Sequence, residues 1–308
     1  MTQLKVRRMP FDFGGDIPFQ WQPANPDFAH MANAVGVLAI AFEKFIVAQV
    51  REAKPLITDP EPAQEAEAFL RQEAQHARAH RLHAQALVSK YPGLQQTIDE
   101  AVASFDNLRA TRPLKFQLAY TAALEATFTP IFKLMLDHED VLFRPGDQRV
   151  ASLFVWHFVE EVEHRSSALL IYDAVIGEPW YRLRVAPAVF RHVLGVYGGI
   201  LRSFNEHVPE ADRLVDAERV APAAMWKREF GSRVPVLRRR LAARGERAVF
   251  EAATAKELLA TGVRLIASQL PHHRPEHQPI PQLAGEWHDR YDGGENMTVG
   301  YRTPPPAI

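Results

Sequence analysis

Cysteine is absent from the 308-residue chain. That excludes disulfides, thiolate metal sites and cysteine nucleophiles, so any metal must be held by oxygen and imidazole nitrogen. Charge of one sign is missing too: 36 basic against 37 acidic residues give a formal net charge of −1. Such a balance offers no overall attraction to nucleic acid or to an anionic membrane. The opening residues, MTQLKVRRMPFDFGGDIPF, lack an apolar stretch followed by a small-residue cleavage site. They do not read as a secretory signal, and the expected location is the cytoplasm. Neither a Gly-x-Ser-x-Gly elbow nor a His-Glu-x-x-His zinc motif occurs. No alternation of strand type competes with helical periodicity, and 47% hydrophobic with 24% charged residues is the composition of a globular protein.

What the chain does hold is one pattern twice, Glu73-Ala-Gln-His76 and Glu161-Val-Glu-His164. Positions i and i+3 share a helix face, so each Glu and His can point at one metal ion. Two further carboxylates lie in apolar runs, Glu43 in VGVLAIAFEKFIV and Glu125 in LAYTAALEATFTPIF. A lone ionised carboxylate costs several kcal/mol to bury unless a cation compensates it. Four of them balance two divalent ions such as Fe(II), leaving a neutral site that can be desolvated. His157 stands four residues before Glu161 and seven before His164, on the same face, and is a further candidate ligand. Glu160 also precedes His164 by one turn and competes with Glu161; the repeat of the Glu73/His76 spacing favours Glu161. His80, one turn beyond His76, reads as a partner behind the ligands. His83, His272, His273, His277 and His288 read as exposed or structural.

Turn signals divide the chain. Residues 1–25, rich in Pro, Gly and aromatics, read as an arm, and 26–178 as a helix bundle of about 27–53, 63–90, 94–108, 113–138 and 147–176. Pro130 predicts a kink one turn after Glu125. Residues 179–270 add helices at about 180–204, 215–243 and 246–268, and a Pro/His-rich tail over 271–308 wraps the surface. The apolar segment after Trp180 is broken by Arg184, Arg191 and Arg202, which argues against a membrane span and for a core or homodimer-interface helix, with docking on a membrane surface as the alternative. The whole is expected to be a single all-α domain. Each of two helix hairpins brings one lone Glu and one Glu-x-x-His, an internal pseudo-repeat that matches the inventory of di-iron carboxylate bundles.

The order Glu43, Glu73-x-x-His76, Glu125, Glu161-x-x-His164 resembles the ferritin-like di-iron carboxylate superfamily, a four-helix bundle with a dinuclear centre. With His157 it resembles the arylamine N-oxygenase branch, which implies Glu43, Glu73, His76, Glu125, His157, Glu161 and His164 as ligands of two Fe ions, with Mn or mixed Mn/Fe as variants. The wider run AFEKFI, a Thr-Asp-Pro turn and FLRQEAQHARAH also resembles a bacterial family of predicted metal-dependent hydrolases, over about residues 5–290. The main expectation is a di-iron oxygenase or oxidase that activates O2 against an organic substrate, with an external electron donor. The alternatives are a hydrolase using a metal-activated water and a ferritin-like iron-handling protein. Phe42, Phe45, Phe69, Phe128, Phe154 and Phe158 suggest an apolar substrate, although any bundle core needs such residues.

Overall fold

Prolines and short polar side chains set the helix boundaries in a computed structural model that describes residues 4–301. Helix α1 (Pro26–Ala53) opens where the Asn25 side chain accepts from the Phe28 N–H, with Pro26 in the first turn. Asp59 caps α2 (Pro60–Lys90) in the same way, accepting from Glu61 N–H. After a turn at Tyr91–Gly93 come α3 (Leu94–Thr111), α4 (Leu114–Glu125), α5 (Phe128–Asp137) and the short α6 (Glu139–Leu142). The Asp147 side chain takes the N–H groups of Arg149 and Val150 and starts α7 (Gln148–Glu163). Then follow α8 (Ser167–Val175), α9 (Pro179–His207), α10 (Glu210–Arg213), α11 (Pro222–Ser232), α12 (Pro235–Ala243), α13 (Ala255–Ser268) and α14 (Gln282–Asp292). All regular structure among the described residues is helical, the all-α bundle that the sequence predicts.

Four core rods carry the candidate ligands: α1, α2, α4–α5 and α7–α8. α1 packs on α2, α5 on α7, α4 on α8, and α2 joins the hairpins through α8 and α7. The expected helix over 113–138 is divided after Glu125. Pro130 has no N–H for the carbonyl of Ala126, and Thr127 instead turns its N–H and its hydroxyl back to Leu124 O. The expected 147–176 helix is also interrupted, at His164, whose carbonyl accepts from the Ser167 N–H. Both interruptions lie directly behind candidate ligands.

Outside the rods the sequence reading needs more correction. The single helix expected over 215–243 is a 3-10 turn (Ala217–Val220) followed by α11 and α12, because Pro222 and Pro235 each open a new helix. The helix expected from 246 begins only at Ala255, where Thr254 and Glu257 form a reciprocal capping box. The tail is more than a wrap: α14 buries Trp287 and packs on α7 and α5, while residues 302–308 lie outside the described residues. The segment after Trp180 is a core helix, α9, that buries Val189, Tyr197, Ile200 and Leu201. Among the described residues, the helix long and apolar enough to cross a membrane is α1 with its following turn, and 72% of its most apolar stretch is buried in the bundle.

The arm over residues 4–25 buries Phe11, Phe13, Ile17, Phe19 and Trp21. Trp21 stacks on Phe154 of α7 at 5.7 Å between ring centres. Gly146 makes that approach feasible, since a Cβ there would stand 2.6 Å from the Trp21 ring.

Candidate metal centre

The rods bring all seven candidate residues together, each almost wholly buried. Their donor atoms fall into two groups that share Glu161. One joins Glu43, His76, His157 and Glu161; the other joins Glu73, Glu161 and His164. His157 Nε2 lies 2.9 Å from Glu161 Oε1 and 3.2 Å from Glu43 Oε1. His164 Nε2 lies 3.0 Å from Glu161 Oε2, 3.3 Å from Glu73 Oε1 and 3.7 Å from Glu125 Oε2. Glu125 thus flanks the second group. Glu73 and His76, although one turn apart, belong to different groups, so the expectation that each Glu-x-x-His serves one ion does not match this geometry.

The ambiguity over residue 160 has a geometric answer. Glu161 lies between the two donor groups, whereas Glu160 accepts from His76 Nε2 at 2.9 Å and pairs with Arg7 at 2.9 Å. This leaves His76 Nδ1 facing Glu161 Oε1 at 3.5 Å. Gln72 plays the matching part on the other side. His164 Nδ1 donates to Gln72 Oε1 (3.1 Å), and Gln72 Nε2 donates to Glu163 Oε2 (3.0 Å), which Arg7 also grips at 2.7 Å. Arg7 therefore closes a ring running His76–Glu160–Arg7–Glu163–Gln72–His164. His80 stands where the sequence puts it, behind the ligands, with Nε2 2.8 Å from His157 Nδ1. Gly36 leaves room for it: a Cβ there would meet His80 Nδ1 at 3.1 Å. Outer partners of this kind fix the ring orientation and tautomer of a ligating histidine.

Fit to a cation can be judged from unpaired atoms. Among the described residues, both carboxylate oxygens of Glu73, Glu43 Oε2, Glu125 Oε1 and His76 Nδ1 are buried without a hydrogen-bond partner. An unsatisfied buried polar group costs about 1–3 kcal/mol, and five such atoms in one cluster are what a bound cation would satisfy. The protonation pattern without metal agrees. Burial pushes Glu43 and Glu73 up to about 7, with Glu161 adding to Glu73. Burial and the charge of Glu161 hold Glu125 well above the usual range. Burial would raise Glu161 as well, but His164, His157 and His76 outweigh it and hold Glu161 well below. Oxygen and imidazole donors suit divalent first-row ions.

One face of the cluster opens on an apolar cavity of about 760 Å³, into which Glu43, Glu125, His157 and Glu161 project. Its walls come from α1, α4–α5 and α7 of the bundle and from α9, α11 and α13 outside it. Of the phenylalanines that suggested an apolar substrate, Phe42 and Phe128 line this cavity. Phe69 meets the edge of His164 (5.0 Å), Phe154 packs on His80 (5.3 Å), Phe158 stacks on Phe132 (4.0 Å), and Phe45 packs on Phe105 and Tyr120. These four serve the core.

Sequence reasoning missed Arg7, Gln72 and Glu163. The available signal was the basic pair Arg7-Arg8 in the arm, and nothing in the spacing tied it to the candidate ligands. His83, read as exposed or structural, takes the structural role: it is buried between Phe13 and Phe154.

Residues 5–244 match the model of a family described as predicted metal-dependent hydrolase. No curated protein and no solved structure matches the chain. The family match overturns the main functional expectation, a di-iron oxygenase or oxidase, in favour of the hydrolytic alternative. The donor set itself was never decisive between them, because two-metal hydrolytic sites use the same carboxylates and imidazoles.

Proposed function

We propose, from the premise that the chain belongs to this family of predicted metal-dependent hydrolases, that it hydrolyses an apolar ester or amide at a metal centre on the floor of the cavity. The observation that carries this reading is the position of the cluster, where a buried Glu/His donor set meets an apolar chamber of substrate size. Cavities of roughly 300–1,000 Å³ are usual for small-molecule sites. Among the described residues lining the chamber there is no Lys or Arg. A phosphate ester would therefore enter without a compensating cation from the wall, which favours an uncharged carbonyl compound.

Glu43, His76, His157 and Glu161 would hold one divalent ion, and Glu73, Glu125, His164 and Glu161 a second, in a ferritin-like arrangement of helices. Bound there, such ions supply Lewis acidity toward a carbonyl oxygen and acidify water. The chain's own contributions are distinct from that. Glu160 and Gln72 hold His76 and His164 in orientation. The apolar walls exclude bulk water and seat the substrate's body. Glu125 faces the cavity at the edge of the donor set, and the carboxylate oxygen it does not give to an ion would take the proton of the attacking water and return it to the leaving group. Proton transfer by a positioned side chain is worth about 10²–10⁴-fold.

The test is turnover of p-nitrophenyl esters of increasing chain length by protein loaded anaerobically with Zn(II) or Mn(II). Hydrolysis that rises with chain length, vanishes on chelation and falls at least a hundredfold in Glu161→Gln is expected. Equal rates with and without metal, or turnover that requires O2, would defeat the proposal.

A further inference from the structure

The mouth of the cavity is built from side chains that have no reason to face water. Leu194 of α9, Ile266 of α13 and Leu270 just past the end of α13 line the cavity and yet stand 47%, 73% and 50% exposed. On α13 the apolar rim continues away from the mouth through Val263 and Leu259, 58% and 69% exposed. Residues 259, 263 and 266 are spaced i, i+4 and i+7, a single stripe along the helix. Its opposite face, with Leu258, Thr261 and Ser268, is buried in the protein. On the other side of the mouth, Trp226 of α11 lines the cavity and packs against Phe230 at 5.9 Å, and Phe230 is 63% exposed. The apolar surface thus runs from α11 across the mouth and along α13.

Beside it stands α12, which buries none of its residues and packs on α11. Residues 222–247 hold eight basic and two acidic side chains in a chain whose net charge is −1. Arg228 and Arg233 are tied to Asp27 and Glu229. Lys227, Arg238, Arg239, Arg240, Arg244 and Arg247 are exposed and, among the described residues, form no ion pair. Val234, Val236 and Leu237 lie exposed among them. Aromatic and aliphatic side chains at the surface, flanked by free arginines, match the chemistry of the boundary between headgroups and acyl chains. A water-facing enzyme gains nothing from such a rim, and exposed apolar stretches of this kind mark interaction sites.

We propose that α11, α12 and the exposed stripe of α13 form a surface that docks on an anionic lipid bilayer, with the cavity mouth opening toward the acyl chains. The arginines of α12 meet anionic headgroups, while Trp226, Phe230, Ile266 and Leu270 enter the boundary layer. An apolar compound can then pass from the bilayer into the cavity without crossing water. This is a property of the surface and stands whether or not the hydrolytic reading does.

The test is co-sedimentation of the full chain with vesicles of phosphatidylcholine alone or mixed with phosphatidylglycerol. Binding to the mixed vesicles is expected, at least tenfold stronger than to phosphatidylcholine and weakening as salt is raised. The triple charge reversal Arg238→Glu, Arg239→Glu, Arg240→Glu should lower it at least tenfold. Since α12 buries nothing, the fold should persist, as circular dichroism would verify. Phe230→Asp with Ile266→Asp should lower binding independently at unchanged charge on α12. Equal or absent binding to both vesicle types would overturn the proposal. So would a stable dimer in analytical ultracentrifugation that Ile266→Asp dissociates while vesicles remain unbound, since the stripe would then be covered by a second copy.

Discussion

At the scale of the residue, the centre separates histidines by what lies behind them. His76 and His164 each turn one nitrogen to an outer oxygen, from Glu160 and Gln72, and the other to the shared carboxylates. His83, three residues past His80, shares the burial, and among the described residues no acid lies in hydrogen-bond range of it. Burial pushes it down to about 4, against a weaker upward pull from Asp147. The sign follows from linkage. Above the ordinary value of 6.5, folded and unfolded chains both hold His83 neutral, and it contributes its full stability. Between 6.5 and about 4 the unfolded chain binds a proton that the folded one refuses, so stability is lost as pH falls. The shift corresponds to at most about 3 kcal/mol. In urea titrations of wild type and His83→Gln at several pH values from 7.5 to 4.5, the difference between the two proteins should narrow toward low pH. A difference independent of pH would show that His83 is not held neutral.

At the scale of the element, the four core rods were legible because their apolar periodicity is long and their caps are strong: Asp59 before α2, Asp147 before α7, Pro26 in the first turn of α1. The candidate donors were legible from the repeat together with the two carboxylates in apolar runs and the face that His157 shares with Glu161, and the fold gathers them in one cluster. The interruptions were harder to read, since a proline acts through the carbonyl four residues earlier. Pro130 displaces the break to Ala126, immediately after Glu125 and not one turn beyond it. Nothing local in the sequence announces the second break at His164. The free end of α4 is what carries Glu125 to the edge of the donor set, 3.7 Å from His164 Nε2. Pro130→Ala should restore the missing donor and draw α4 and α5 toward one continuous helix. Affinity for the divalent ion at the Glu73/His164 group should fall about tenfold, in the range expected when support of a ligand is lost, with helical content retained or slightly increased. Titration of the metal-free variant followed by calorimetry measures this, and an unchanged affinity would mean that the break does not position Glu125.

At the scale of the whole molecule, the arm and α14 meet over the candidate metal centre. Arg7 comes from the arm and grips Glu160 and Glu163 of α7, while Trp287 and Tyr291 of α14 lie against its guanidinium at 6.0 and 5.7 Å. This long-range closure could not be read from spacing, because it joins residues 7, 160 and 287 through tertiary packing alone. The cavity was illegible for the same reason: its walls unite α1 with α9, α11 and α13, far along the chain. A buried, multiply bonded arginine of this kind is strongly destabilising to remove, since the partner carboxylates stay behind without a counter-charge. Arg7→Leu should therefore cost about 3–5 kcal/mol in chemical denaturation. It should also loosen Glu160 behind His76 and Gln72 behind His164, and weaken divalent-ion binding about 10–100-fold. Arg7→Lys keeps the charge but loses the two-pronged grip, so it should recover part of the stability and less of the metal affinity. If stability falls while metal affinity is unchanged, the arm and α14 brace the bundle without orienting the candidate ligands. If both fall and Arg7→Lys separates them as stated, the arm and α14 are structural parts of the metal centre itself.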